Sequence, residues 1–287
     1  MNNQIEAINL RPYGSGGRAD VKLGNLRHDG SLVIVKVLRD AHLPHMRQAF
    51  LREINIMSMQ LPGMVRFIAA NKTAAQPYYM MEYLPGGTLQ KYAGLLSETQ
   101  LHAVGIWMAE TLAGFHLKAG AHGDLKPLNI LITRDGHLKL GDPLGNGPIG
   151  FDFGLSVLFS PDKGGTEGYR APEVIRGATP SPLSDSYSFA ATLNHLVTGR
   201  APVDGQQLDP TGYGLTCPEW LRQLIVLCSQ PDPDTRPTMN DILRALKGES
   251  WANIYAEKQK DKALTGLVIL GLAGLGLAAL FSKTASA

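Results

Sequence analysis

The sequence predicts an α+β chain of two lobes, a small N-terminal antiparallel sheet with one helix and then a larger helical part, followed by a single C-terminal transmembrane helix. Three observations carry this prediction. Residues 19–38 alternate in polarity and then become strongly β-branched in SLVIVKVL. From Ser97 onward the pattern turns chiefly helical, and the run from Leu264 to Phe281 holds no charged residue. With 287 residues, 44% of them hydrophobic, the chain has the apolar content to bury such a core.

The elements follow in order. Gly14-Ser15-Gly16-Gly17-Arg18-Ala19-Asp20-Val21 lies between two strand candidates. Glycines there let backbone N–H groups close over phosphates, although the same run would serve as an ordinary hairpin turn. His28, Asp29 and Gly30 mark the next turn. In the following strand Lys36 sits among β-branched residues, where an unpaired ammonium is costly to bury. Glu53, on the next helix, would pair with it and aim it at anionic oxygens; the alternative is a half-exposed lysine reaching solvent. That helix is read over 45–60, with Phe50, Ile54 and Met57 at three- and four-residue spacing and Pro62-Gly63 closing it.

Two further strands, MVRFIAA and PYYMMEYL, precede the break at Pro85-Gly86-Gly87. Ser97 then suits the N-cap of a helix reaching about Lys118. The lobes are assigned to residues 8–84 and 85–247, a charged linker to 248–262 and the transmembrane helix to 263–282. As a helix, Leu264 to Phe281 would rise about 27 Å, enough to cross a bilayer core. Lys258, Lys260 and Lys262 precede it and Lys283 follows, a bias that puts the large N-terminal part on the cytoplasmic side of the cell membrane in a single-pass arrangement. Gly274 and Ala278 would let two such helices approach, so lipid and a homodimer are expected partners. With so few residues after Phe281, no external sensor domain is expected in this chain.

Charge and cysteine content exclude other classes. Lys+Arg of 27 against Asp+Glu of 25 leaves +2, with no basic stripe interleaved with aromatics, so nucleic acid is not an expected partner. Cys217 and Cys228 have no metal-ligand partners at usual spacing and read as structural. The start, MNNQIEAINLRPYG, lacks the basic and apolar regions of a secretory signal.

The chemistry concentrates in His122-Gly123-Asp124-Leu125-Lys126-Pro127-Leu128-Asn129, followed by the apolar Ile130-Leu131-Ile132. A carboxylate, an amine and a carboxamide within six residues supply a base, a phosphate contact and a metal ligand. A second carboxylate lies in Phe151-Asp152-Phe153-Gly154, and Gly165-Thr166-Glu167-Gly168-Tyr169-Arg170-Ala171-Pro172-Glu173 follows.

These segments, in this order, resemble the eukaryotic-type protein kinase superfamily over roughly residues 8–247. The resemblance implies a two-lobed kinase fold and a serine/threonine protein kinase using ATP and magnesium on protein hydroxyls. It makes Gly14, Gly16, Gly17 and Val21 part of the phosphate-covering loop, Lys36 the phosphate-contacting lysine and Glu53 its partner. Met81 takes the gatekeeper position, Glu82 and Leu84 the adenine-binding hinge, and Leu131 a place beside the nucleotide. By the same resemblance Asp124 is the catalytic base, Lys126 contacts the transferring phosphoryl group and Asn129 is a magnesium ligand. Thr166 and Ala171-Pro172-Glu173 match the substrate-side loop, Asp185 the anchor of the catalytic loop and Arg236 the partner of Glu173. His122 keeps a packing and orienting role.

The second magnesium ligand is read two ways. Counting about a dozen residues on from Asn129 arrives at Asp142 in LKLGDPLG, whereas Asp152 carries the full Asp-Phe-Gly triplet. The assignment here is Asp152, with GDPLGNGPIG looping out before it. Three residues depart from the family pattern. Gly123 stands where an arginine usually pairs with a phosphorylated activation loop, Ile34 adds bulk over the adenine site, and Ala19 replaces a loop glycine. Weak dependence on activation-loop phosphorylation and lowered ATP affinity are therefore expected. A membrane-anchored pseudokinase scaffold is the alternative, and a small-molecule kinase a third.

Overall fold

The structure is a computed structural model, and it describes residues 6–15, 19–142, 166–204, 208–213 and 217–259. The chain forms two compact units, residues 1–240 and 241–287. Within the first, β1 (Ala7–Ser15), β2 (Ala19–Leu26), β3 (Leu32–Leu38), β4 (Phe67–Asn71) and β5 (Tyr78–Glu82) make one antiparallel sheet in the order β1-β2-β3-β5-β4. The strand period of two sorts β3: Val33 and Val35 pack with Leu26 and Met80 in a core on one face, which leaves Lys36 on the other.

On that other face lies α1 (Pro44–Met57), opened by a proline at its first turn and burying Phe50, Ile54, Ile56 and Met57. Three of these four are the residues whose spacing marks the helix in the sequence. The strand expected at MVRFIAA begins later, at Phe67. Met64 and Val65 instead bridge to the hairpin of the second lobe, Val65 N–H donating to Leu140 O at 2.9 Å. Gly63 makes this departure: its φ is 78°, and a Cβ there would sit 2.4 Å from Thr111 Oγ1.

The second lobe starts with α2 (Glu98–Ala119), capped as the sequence predicts. Ser97 Oγ accepts from Gln100 N–H at 3.3 Å, while the Gln100 side chain accepts from Ser97 N–H at 2.9 Å. A hairpin of β6 (Ile130–Ile132) and β7 (Leu138–Leu140) follows, then α3 (Pro172–Ile175), α4 (Pro182–Thr198) and α5 (Glu219–Cys228). Every residue from Ser184 to Leu196 in α4 is buried, which makes this helix the post around which the lobe packs. Cys217 and Cys228 are free, Cys228 fully buried at the end of α5.

In the second unit a helix over 251–259 occupies part of the segment read as a charged linker. Its charges are used: Arg244 pairs with Glu249 at 2.7 Å and Glu257 at 2.6 Å, and Lys258 pairs with Asp241. Among the described residues no helix is long and apolar enough to cross a membrane, and the transmembrane segment assigned to 263–282 lies outside them.

Candidate active site

Lys36 and Tyr79 are directly opposed across β3 and β5, so both side chains leave the sheet on the α1 face. Glu53 descends from α1 to meet them. Lys36 Nζ donates to Glu53 Oε1 at 2.8 Å and to Asp142 Oδ1 at 2.9 Å, and Tyr79 Oη donates to Glu53 Oε1 at 2.6 Å. Both members of the Lys36–Glu53 pair are largely buried. The sequence-based pairing of these two residues holds, and Asp142 joins them from the end of the β6–β7 hairpin.

Burial disfavours the Lys36 ammonium, but the Asp142 and Glu53 carboxylates more than offset it and hold Lys36 above the ordinary lysine value. Asp142 shows the converse balance: desolvation pushes its carboxyl up, and the adjacent Lys36 brings it below the usual carboxylate range. Burial raises the Glu53 carboxyl, a push that Lys36 and the Tyr79 hydroxyl oppose. Asp142 also has φ of 53°, a left-handed backbone uncommon for a residue with a Cβ. Such local cost is typical of functional sites.

The loop after α2 carries the second cluster. Asp185, fully buried in the first turn of α4, accepts from His122 N–H at 2.7 Å and Gly123 N–H at 2.9 Å and contacts His116 Nε2 at 2.8 Å. His122 is buried, and burial lowers its pKa. Its Nδ1 accepts from Asp124 N–H at 3.3 Å, which leaves Nε2–H to donate to Gly141 O at 3.0 Å. One neutral imidazole thus ties the Asp124 loop to the residue beside Asp142.

The Asp124 carboxylate is held from three sides. Lys126 Nζ donates to its Oδ2 at 2.8 Å, Asn129 Nδ2 to Oδ2 at 2.9 Å and to its carbonyl at 2.7 Å, and Thr166 Oγ1 to Oδ1 at 2.8 Å. Lys126 Nζ also bonds Thr166 Oγ1. A carboxylate fixed this way suits a general base for a hydroxyl delivered near it.

Along the expected adenine edge, Met81 and Leu84 are buried, Val21 and Leu131 half-buried, and Gly14 exposed. Ile34 is buried and lies between Leu23 and Met81 in register. The Glu82 side chain turns to Arg66 N–H at 2.7 Å and to Lys139 Nζ. Gly16, Gly17 and Asp152 lie outside the described residues.

The Thr166–Glu173 segment is pinned at both ends. Arg236, buried, forms a two-pronged pair with Glu173 at 2.7 and 2.8 Å, as the sequence predicts. Asp204 accepts from Gly168 N–H at 2.6 Å and pairs with Arg170 at 2.5 Å. Sequence reasoning missed Asp204 and Tyr79. No motif surrounds Asp204; Tyr79 is reachable from the strand register that sets it opposite Lys36.

The comparisons agree with this geometry. The protein kinase domain family matches residues 8–246. The serine/threonine-protein kinase pkn2 of Myxococcus xanthus is 32% identical over 211 residues, 68% of this chain and 25% of that protein. The probable serine/threonine-protein kinase PkwA of Thermomonospora curvata is 29% identical over 264 residues, 83% of this chain and 34% of its own length. The probable serine/threonine-protein kinase MARK-A of Dictyostelium discoideum is 29% identical over 257 residues, 82% of this chain and 23% of its own length. The chain therefore spans about a quarter to a third of these three relatives. With the family matched over most of its length and the Lys36, Asp124 and Asp185 clusters assembled, the chain belongs to the protein kinase domain family.

Proposed function

We propose that this protein is an ATP-dependent serine/threonine protein kinase. The observation that carries the reading is the Asp124 carboxylate, held by Lys126, Asn129 and Thr166 in the same lobe that brings Asp142 to the Lys36–Glu53 pair. Asp124 accepts the proton of a substrate hydroxyl as the hydroxyl oxygen attacks the γ-phosphorus of ATP, and the bond to the β,γ-bridging oxygen breaks to release ADP. Lys126 lies beside it to balance charge on the transferring group, and Lys36, aimed by Glu53, holds the other phosphates. Thr166, bonded to both Asp124 and Lys126, shapes the place where a serine or threonine hydroxyl enters.

Magnesium, implied by the family, fits the donors present. Among the described residues no group of three or more His, Cys, Asp or Glu side chains could cage a metal. Asn129 commits its amide nitrogen to Asp124, which leaves its side-chain oxygen as a hard donor, and this oxygen and the Asp142 carboxylate would hold the ion. Bound there, the ion would neutralise charge on the phosphates. This reading moves the carboxylate role from Asp152 to Asp142, supported by the contact with Lys36 and by spacing from Asn129.

Anchoring at a membrane through Leu264 to Phe281 is part of the same proposal and rests on that uncharged run alone. Sedimentation of the full chain with membranes after alkaline extraction, lost on truncation after Lys262, checks it; release of the full chain would contradict it. The catalytic reading is tested by incubating the full chain with labelled ATP, magnesium and a generic protein substrate and mapping the sites. Label on serine and threonine, abolished by Asp124→Asn with ATP binding retained, is expected. ATP binding without transfer would identify a scaffold instead.

A further inference from the structure

We propose that Tyr79 is a positioning residue that locks α1 in the Lys36-paired arrangement from the sheet side, taking the part that a phosphorylated loop plays where an arginine occupies the Gly123 position. The inference rests on the reading above that the Lys36–Glu53 pair orients phosphates. Tyr79 is fully buried, and its ring is wedged between Phe50 of α1 at 5.6 Å and Phe67 of β4 at 6.3 Å between centroids. Lys36 Nζ lies 6.0 Å from the same ring. The hydroxyl reaches past the ring to Glu53 Oε1, the oxygen that also accepts from Lys36.

A buried carboxylate with one ammonium partner is poorly compensated, and a second donor on the same oxygen reduces the cost of holding it there. The tyrosine does more than satisfy Glu53. Because it stands on β5 directly opposite Lys36, it ties α1 to the strand beside the lysine, so a helix that swings away must break a buried hydrogen bond to a charged acceptor and open an aromatic contact. Gly123 offers no guanidinium for a phosphate to recruit, and the Tyr79 contact is already made without one. The device is built from the core rather than from the loop.

The test is steady-state and single-turnover transfer by the full chain, wild type against Tyr79→Phe, which keeps the ring and removes only the hydroxyl. The expected result is a fall in kcat of about tenfold, the scale of one hydrogen bond to a charged acceptor, with KM for ATP changed less than about twofold. In a Glu53→Met background the same substitution changes the rate less than about twofold, because the acceptor is gone. Wild-type kcat in Tyr79→Phe, an equal loss in both backgrounds, or a matching loss of ATP affinity overturns the proposal. A Lys36→Met control separates the two levels: if it stays active, the underlying reading of the lysine pair fails; if it is inactive while Tyr79→Phe is unaffected, the tyrosine proposal alone fails.

Discussion

Lys36 Nζ lies 2.9 Å from Asp142 Oδ1, so a lysine from the central strand of the sheet is joined to the carboxylate at the end of the β6–β7 hairpin. With Glu53 on the same ammonium at 2.8 Å, one side chain gathers groups from β3, α1 and the second lobe. The left-handed backbone of Asp142 and the His122 bond to Gly141 O set that carboxylate beside the Asp124 loop. Phosphoryl transfer needs both clusters within reach of one substrate.

Negative charge on Thr166 should stop the enzyme. Its hydroxyl donates to Asp124, and a carboxylate or phosphate there would face that acceptor with like charge. Thr166→Glu is expected to lower kcat by at least about a hundredfold with little effect on ATP binding, measured by peptide phosphorylation beside nucleotide titration; Thr166→Ser should retain most activity.

Gly123 has φ of 82°, where a Cβ is disfavoured, and its N–H is committed to Asp185. Gly123→Ala should cost about 1 kcal/mol in denaturant unfolding. With no arginine at this position, phosphatase treatment should leave turnover within about twofold of the untreated protein. A large gain on phosphorylating Ser156, Ser160 or Thr166 would count against this.

Arg236 is held by several acceptors at once. Besides Glu173 it donates to Leu183 O at 3.0 Å, Gln230 O at 2.7 Å and Pro231 O at 3.2 Å. Arg236→Met removes all of these and leaves the Glu173 carboxylate without its partner, so a loss of about 3–5 kcal/mol in chemical denaturation is expected. Arg236→Lys should recover only part, because an ammonium cannot make the two-pronged contact.

Stability should also fall in mild acid. Burial holds His122 and His195 below the ordinary histidine value, opposed at His122 by Asp185 and Asp124. As pH drops through about 6.5 the unfolded chain binds protons that the folded chain refuses, and the balance shifts toward unfolding. The thermal midpoint is expected to decline from about pH 7.5 to about pH 5.5, and His195→Gln should flatten part of that slope.

Features governed by local chemistry were legible in the sequence. A lysine amid Val35 and Val37 demands a partner, Ser97 suits the N-cap of the helix that follows it, and Phe50, Ile54 and Met57 share a helix face. Several contacts set by strand register and turn geometry were not. Asp142, which spacing from Asn129 already marks as one of two candidates, lacks the triplet that flanks Asp152, and its contact with Lys36 emerges only from the folded hairpin of three-residue strands. Tyr79 reads as one apolar strand position among several until the register sets it against Lys36. Met64 and Val65 have strand character, yet the left-handed turn at Gly63 sends them to the other lobe.

The account turns on which aspartate serves the phosphates, and paired variants of the full chain address it most directly. Incorporation of labelled phosphate into a protein substrate should fall by at least about a hundredfold in Asp142→Asn and change little in Asp152→Asn. Collapse in Asp152→Asn with activity kept in Asp142→Asn would contradict it.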